Sequence, residues 1–480
     1  MKKMTREERK KWIERGKNVL IVFLCVCCGC LLWSVFNLFR GQLSIGDIFM
    51  GMDNGVVSGD KGENDSGNVV KTFWKLSKPE TLMIFNDDCR IIVSEVNEYY
   101  NEINENINMI MQKAYSLNSE KVLACDEEQW KSAFKGQGAY VKYSGNRDVF
   151  FEEQFYGMKD SGLGKKINSY AELLFLPHEE DSKKISVLVR GVKGESYARV
   201  EFSAEVEGIK RGIGAFGNSE KGKYFFGFEY GSADKPFGVE TDIMLLVPVV
   251  NKTASNMTVR MPNEFTSGIN FTRATKLTSG MINLFGYNPN TVRQYASGDG
   301  ALIFVGETGN LSLSPAGKIE YKALGESEGI PLGTLGQGSS SASSVVAGIY
   351  QLTEKVFELC GVDGAINAGA MRITEFPVNK ETQEIRLKME YYADGMRVSL
   401  GQEPALFAVV KNGVLTELKM WVKQIERKET MVNTEDFETA VASFVQLNPS
   451  VKKIISAELI YPYTGDDNES TAGWSFQGEK

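Results

Sequence analysis

The sequence predicts an α+β protein: an N-terminal single transmembrane helix followed by extracytoplasmic domains in which helices pack on antiparallel sheets. Three observations carry this. An uncharged apolar run fills Asn18–Phe39. Apolar residues recur at three- and four-residue steps from Ile92 to Ala114 and from Val345 to Cys360, as on a helix with one buried face. Alternating apolar and polar residues broken by Gly and Pro fill Ile185–Val250 and Ile385–Ile425, as in antiparallel strands.

The apolar run reads NVLIVFLCVCCGCLLWSVFNLF. At about 1.5 Å per residue its roughly 20 residues match a hydrocarbon core of ~30 Å. The preceding segment holds eight Lys/Arg, among them Lys10, Lys11, Arg15 and Lys17, against three Glu. Such a flank stays cytoplasmic, so a single-pass signal anchor at the cell membrane with the C-terminal domains outside is expected. A cleaved signal would end in a small-x-small site, whereas this run ends in Trp33, Phe36, Leu38 and Phe39. The lipoprotein alternative needs a Leu three positions before Cys30 and finds Cys27. The spacings Cys25/Gly29 and Cys30/Ser34 would let a second helix approach closely, and lipid-facing filler fits these residues as well.

At 480 residues the chain has room for two or three domains beyond the anchor. The formal charge is −8, of which the first 17 residues contribute +5 and the remainder −13. An acidic body argues against nucleic acid as a partner. Outside the apolar run only Cys89, Cys125 and Cys360 occur, too few for a disulfide framework, so packed cores must supply the stability.

Along the chain, the basic tail (1–17) and span (18–39) lead into a Gly/Asp/Asn/Ser-rich stretch read as a flexible stalk (40–70). An N-terminal extracytoplasmic α+β domain (71–265) follows. It opens with a strand over Pro79–Phe85, a turn at Asn86–Asp88 and the long helix, then a short helix over Glu127–Phe134 and a strand at Ala139–Tyr143. A central β-rich segment (266–332) and a Gly/Ser linker (333–344) precede the C-terminal α+β domain (345–480). There Gly361 stops a helix, and Asn412-Gly413 supplies the residues of a tight hairpin turn. Thr434 is placed to cap a helix bearing Phe437, Val441, Phe444 and Val445, with a closing strand at Lys453–Tyr463.

No catalytic set emerges. Ser132-Ala-Phe-Lys135 matches the Ser-x-x-Lys of penicillin-interacting enzymes, but no Lys-Thr-Gly strand or Ser-x-Asn loop accompanies it. The single histidine, His178, sits in the polar segment FLPHEEDSKK and would have to serve any Ser-His-Asp relay alone. Phosphate-loop and calcium-loop spacings are absent, and Glu179-Glu180-Asp181 and Asp466-Asp467-Asn468-Glu469 read as solvated turns. No metal, cofactor or catalytic residue is assigned.

The order of several segments nevertheless resembles a known family. KPETLMIFNDDCRIIV with the long helix, EQWKSAFKGQGAYVKY, and FGYNPNTVRQYASGDGALIFVGETGNLSLSPAGKIEYKA are similar to the YycH family of extracytoplasmic regulators. The final module, YADGMRV with ALFAVVKNGVLTELKMWV, also resembles the sister family YycI. The resemblance implies a membrane-anchored, non-enzymatic protein that adjusts a sensor histidine kinase of the WalK (YycG) type, in a two-component system governing the cell wall of Gram-positive bacteria. It further implies a YycI-like partner protein and a membrane helix that contacts kinase helices, here through Cys25, Gly29, Cys30 and Ser34. The longer charged tail, the Gly-rich stalk and the cysteines of the span depart from the family. An envelope scaffold, a ligand-binding module or a penicillin-interacting serine enzyme are the alternatives.

Overall fold

Two large sheets, built from strands that mostly run antiparallel, organise the molecule. The computed structural model describes residues 64–480 apart from 88, 182, 193–195, 218–223, 231–236, 250–252, 270–274, 326–327, 333–340, 380, 464 and 466–468. The first sheet has seven strands, in the order Cys89–Ile92, Thr81–Asn86, Gln137–Asp148, Ser169–Pro177, Lys184–Gly191, Tyr197–Ser203 and Val122–Ala124. Thr81–Asn86 shows why its residues read as an unbroken apolar run. Leu82 and Ile84 enter a core with Ile103, Ile107 and Ile209 from the helices Tyr100–Tyr115 and Glu207–Phe216. Met83 and Phe85 enter a separate core with Trp130 and Phe134 on the other face. A strand covered on both faces loses the alternation of a half-buried one.

The second sheet has fourteen strands and runs from Arg293–Ala296 at one edge to Gly473–Glu479 at the other. It departs from the expected all-antiparallel pattern at two places. Both Met396–Ser399 and Glu240–Thr241 lie parallel to Lys453–Pro462. The helix Ser341–Leu359 packs Val345, Val346, Ile349, Leu352, Val356 and Phe357 into a core with Leu387, Met389 and Leu418. It ends as its sequence predicts. Gly361 takes φ +76°, its N–H donates to the Glu358 carbonyl, and the Val362 N–H donates to the Phe357 carbonyl. These two bonds satisfy carbonyls that a helix end otherwise leaves unpaired. The hairpin turn is also as expected, with Asn412 at φ 50° and Gly413 at φ 77° between Leu406–Lys411 and Val414–Trp421.

Other elements differ from the periodicity. The long helix begins at Tyr100, because Ile92 closes a strand and a turn intervenes in which the Asn97 side chain accepts from the Tyr99 N–H. Val96, placed on the buried face by spacing, is 68% exposed. The C-terminal helix is capped by Asp436, whose carboxylate accepts from the Thr439 N–H, and not by Thr434. A helix also occupies Asn64–Leu76, and its Phe73 and Leu76 join the core of the second sheet.

The anchor requires correction. No helix among the described residues is long and apolar enough to cross a membrane. The longest, Ser341–Leu359, carries Glu354, Lys355 and Glu358 opposite its single apolar stripe. The expected span 18–39, its packing positions Cys25, Gly29, Cys30 and Ser34, and the flanking Lys10, Lys11, Arg15 and Lys17 lie outside the described residues. The α+β body with helices packed on sheets stands. None of the described helices supports the expected transmembrane helix, the membrane as a partner, the single-pass membrane localisation or a function exerted through transmembrane contacts, and these are not carried further.

Candidate ligand-binding cleft between the sheets

The two sheets meet along a cleft of about 260 Å³. One wall comes from the first sheet: Pro79–Leu82 at the start of a strand, Ile92–Glu95 after the next, and Tyr100 at the head of the long helix. The other wall comes from the second sheet. It comprises Tyr392, the turn Asp394-Gly395 with Met396 and Arg397, Ala457–Leu459 and Trp474. Asp394 (φ 50°) and Gly395 (φ 79°) form a two-residue turn with both residues left-handed, like Asn412-Gly413, which joins Glu384–Ala393 to Met396–Ser399. This turn holds the second wall against Glu95, whose Oε1 would lie 3.8 Å from a Cβ placed on Gly395.

Four carboxylates line the cleft, and each has a basic partner. Glu95 pairs with Arg372 and, at 3.3 Å, with Lys78. Glu80 pairs with Lys142 at 3.2 Å, Glu458 with Arg397 at 2.6 Å and Asp394 with Arg427 at 3.3 Å. Of these bases only Arg397 is itself a lining residue, so the described surface of the cavity is acidic. Arg372 is the clamp between the sheets. Its guanidinium is buried, lies 4.1 Å from the centroid of the Tyr392 ring, and donates to the Pro79 carbonyl at 3.3 Å. Burial pushes its pKa down to about 10, which leaves it charged at neutral pH.

The remaining electrostatics follow from crowding. Burial, then the charge of Glu80, holds the Glu458 carboxyl above the ordinary range against the opposing pull of Arg397. Burial would lower Lys142, but Glu80, Glu172 and Glu458 outweigh it and hold the ammonium above its ordinary value. The Lys78 ammonium, 5.7 Å over the Tyr100 ring, is lowered by burial and by the charge of Arg372. Tyr100 is 2% exposed, and its hydroxyl has no hydrogen-bond partner among the described residues. A buried phenol without a partner is costly.

A second polar knot lies apart from the lining of the cleft. The Glu152 carboxylate receives Arg147, Tyr115 and, at 2.8 Å, Tyr170. The Arg147 guanidinium sits 5.2, 4.4 and 5.3 Å from the ring centroids of Phe73, Tyr143 and Phe376. It fastens the helix Asn64–Leu76 to the first sheet.

The chemical candidates of the sequence do not converge. Ser132 lies on the helix Glu127–Ala133, where its hydroxyl donates to the Gln129 carbonyl at 3.0 Å. His178 Nε2 is 2.9 Å from Ser186 Oγ, but Ser186 is buried, and the carboxylate present (Glu201, 3.3 Å) bonds that hydroxyl and does not orient the ring. Cys89, Cys125 and Cys360 form no disulfide among the described residues. Among the described residues no group of His, Cys, Asp and Glu could hold a metal ion. The cleft itself escaped sequence reasoning, and only Asp394-Gly395 carried a local signal.

An α+β body of two joined sheets with a binding-type cleft is the class of protein these features define. No protein-family model matches the chain, and no curated protein matches it in sequence. Among solved structures, the crystal structure of YycH from Bacillus subtilis is similar, with a TM-score of 0.52 and 11% sequence identity over 85% of this chain and 95% of that one. The likeness is one of fold.

Proposed function

We propose that this chain is a non-enzymatic binding protein of the YycH/YycI type, which holds a ligand or partner in the cleft between its sheets. The observation that carries the reading is the cleft of about 260 Å³ itself, walled by charged side chains from two sheets. Pockets of this kind favour the junctions between structural units. The resemblance of several segments to the YycH family suggests a regulatory role in a two-component system, with a sensor histidine kinase as the protein held. Contact alone suffices for such a role. A partner bound more tightly in one state than another is shifted toward it, and ~1–3 kcal/mol of difference changes output about 5- to 150-fold.

The test titrates the full chain into each sensor kinase of its own cell, reading binding and autophosphorylation. Saturable binding to one kinase with a several-fold change in autophosphorylation is expected. If every kinase is ignored while an envelope component binds, the chain is a scaffold or ligand-binding module and the regulatory reading fails.

A further inference from the structure

Two segments meet beyond the C-terminal end of the helix Tyr100–Tyr115: residues 113–121, and the loop 157–168 that leads into the strand Ser169–Pro177. The Gly162 N–H donates to the Leu117 carbonyl at 2.8 Å, and a Cβ on Gly162 would collide with the Asn118 carbonyl, so the two segments touch. We propose that the face they form docks an acidic segment of a protein partner, whose carboxylates meet Lys113, Lys121, Lys159, Lys165 and Lys166. This face shares no residue with the lining of the cleft, so the two sites stand or fall separately.

Charge is the first observation. The two segments carry five Lys against Glu120 and Asp160, a net +3, in a chain whose residues after 17 sum to −13. All five lysines are exposed, and none forms an ion pair with a described residue. Elsewhere on the first sheet lysines are neutralised, Lys142 by Glu80 at 3.2 Å and Lys184 by Glu201 at 3.4 Å. Lys113 also suits the negative end of its helix, but the other four lie outside α-helix, where no dipole calls for them.

Second, the lysines are carried on a loop that the interior holds in shape. The buried Glu153 carboxylate accepts from the Ser161 N–H at 2.9 Å and from the Ser161 hydroxyl, whose oxygen accepts from the Gly164 N–H at 3.0 Å. Glu153 is thereby committed to the loop. Leu163 and Ile167 enter the core beside Tyr115, and Lys165 and Lys166 between them are turned out. A loop fixed in this way loses little freedom when a partner arrives.

Third, the neighbouring side chains select a protein. Leu117 and Met158 are half-buried, and Leu123, on the edge strand Val122–Ala124 just after Lys121, is 49% exposed. An apolar centre with a charged rim is the anatomy of a protein interface. A phosphate polymer is held by charge alone, and the guanidinium forks that grip phosphate in pairs are absent from these two segments.

The test follows the fluorescence anisotropy of the labelled peptide Glu-Leu-Glu-Glu-Leu-Glu with the full chain, beside Gln-Leu-Gln-Gln-Leu-Gln and inorganic polyphosphate. At about 0.05 M salt the acidic peptide should bind saturably and the Gln peptide at least about tenfold more weakly. The double variant Lys165→Glu/Lys166→Glu should weaken the acidic peptide about tenfold or more. Lys135→Glu/Lys428→Glu makes the same change in net charge at exposed lysines outside the face and should leave binding within about twofold. Leu123→Ser, which alters no charge, should weaken the acidic peptide several-fold. Equal loss in the two double variants would assign the binding to net charge, and tighter binding of polyphosphate would assign the face to a polyanion. Either result overturns the proposal, as does the lack of saturable binding by the acidic peptide.

Discussion

Replacing Arg372 by Met removes the clamp between the sheets while keeping an unbranched stem of similar reach. The guanidinium is 4% exposed, whereas the Glu95 side chain retains 19% exposure and keeps Lys78 at 3.3 Å as a second partner. Removing one member of a buried pair costs ~3–5 kcal/mol, because the other charge is left uncompensated. Lys78 and the partial exposure of Glu95 bring this to the lower end. Loss of the cation over the Tyr392 ring and of the bond to the Pro79 carbonyl adds about 1 kcal/mol each at most. The expectation is a destabilisation of about 3–5 kcal/mol, read as a shift of the urea midpoint at unchanged slope. Glu95→Gln in the same background should then cost much less than in the native chain, because the pair is already broken. A loss below about 1 kcal/mol for Arg372→Met, or strict additivity of the two changes, would refute the assignment of Arg372 as the clamp.

Other consequences can be measured alongside. Burial, then the charge of Glu458, raises the Glu390 pKa to about 7 against the pull of Arg397. The folded state therefore keeps that proton where an unfolded carboxyl, near 4.5, has lost it. Its stabilising effect is complete below pH 4.5 and is lost as pH rises through 7, and denaturant midpoints of Glu390→Gln should show a flatter profile over that window. Gly413→Ala forces a Cβ onto a residue at φ 77° and should cost roughly 1–2 kcal/mol in chemical denaturation. Ser132 should remain unlabelled by a penicillin-type probe, since its hydroxyl is committed to the Gln129 carbonyl; stoichiometric acylation would reopen the serine-enzyme reading.

What could be read in advance was local. Gly361 and Asn412-Gly413 are legible because the backbone conformations they permit are encoded in one or two residues. The helix Glu207–Phe216 was hidden by Gly208, Gly212 and Gly214, which weaken any helical prediction. The structure explains Gly212, where a Cβ would sit 2.8 Å from Ile103 Cδ1 and 3.1 Å from Ile84 Cδ1, so helix and sheet could not close together. The cleft was illegible for a different reason. Glu80, Glu95, Tyr100, Asp394 and Glu458 converge from distant parts of the chain, and no spacing announces it. The parallel pairing of Met396–Ser399 with Lys453–Pro462 that brings two of its wall segments together is likewise a long-range feature.

Hydrogen exchange of the full chain with and without its bound partner tests the central claim, contact through the cleft, most directly. Protection concentrated in residues 92–100, 392–397 and 457–459 is the predicted result. Tight binding that leaves those segments unprotected and protects another surface would contradict it.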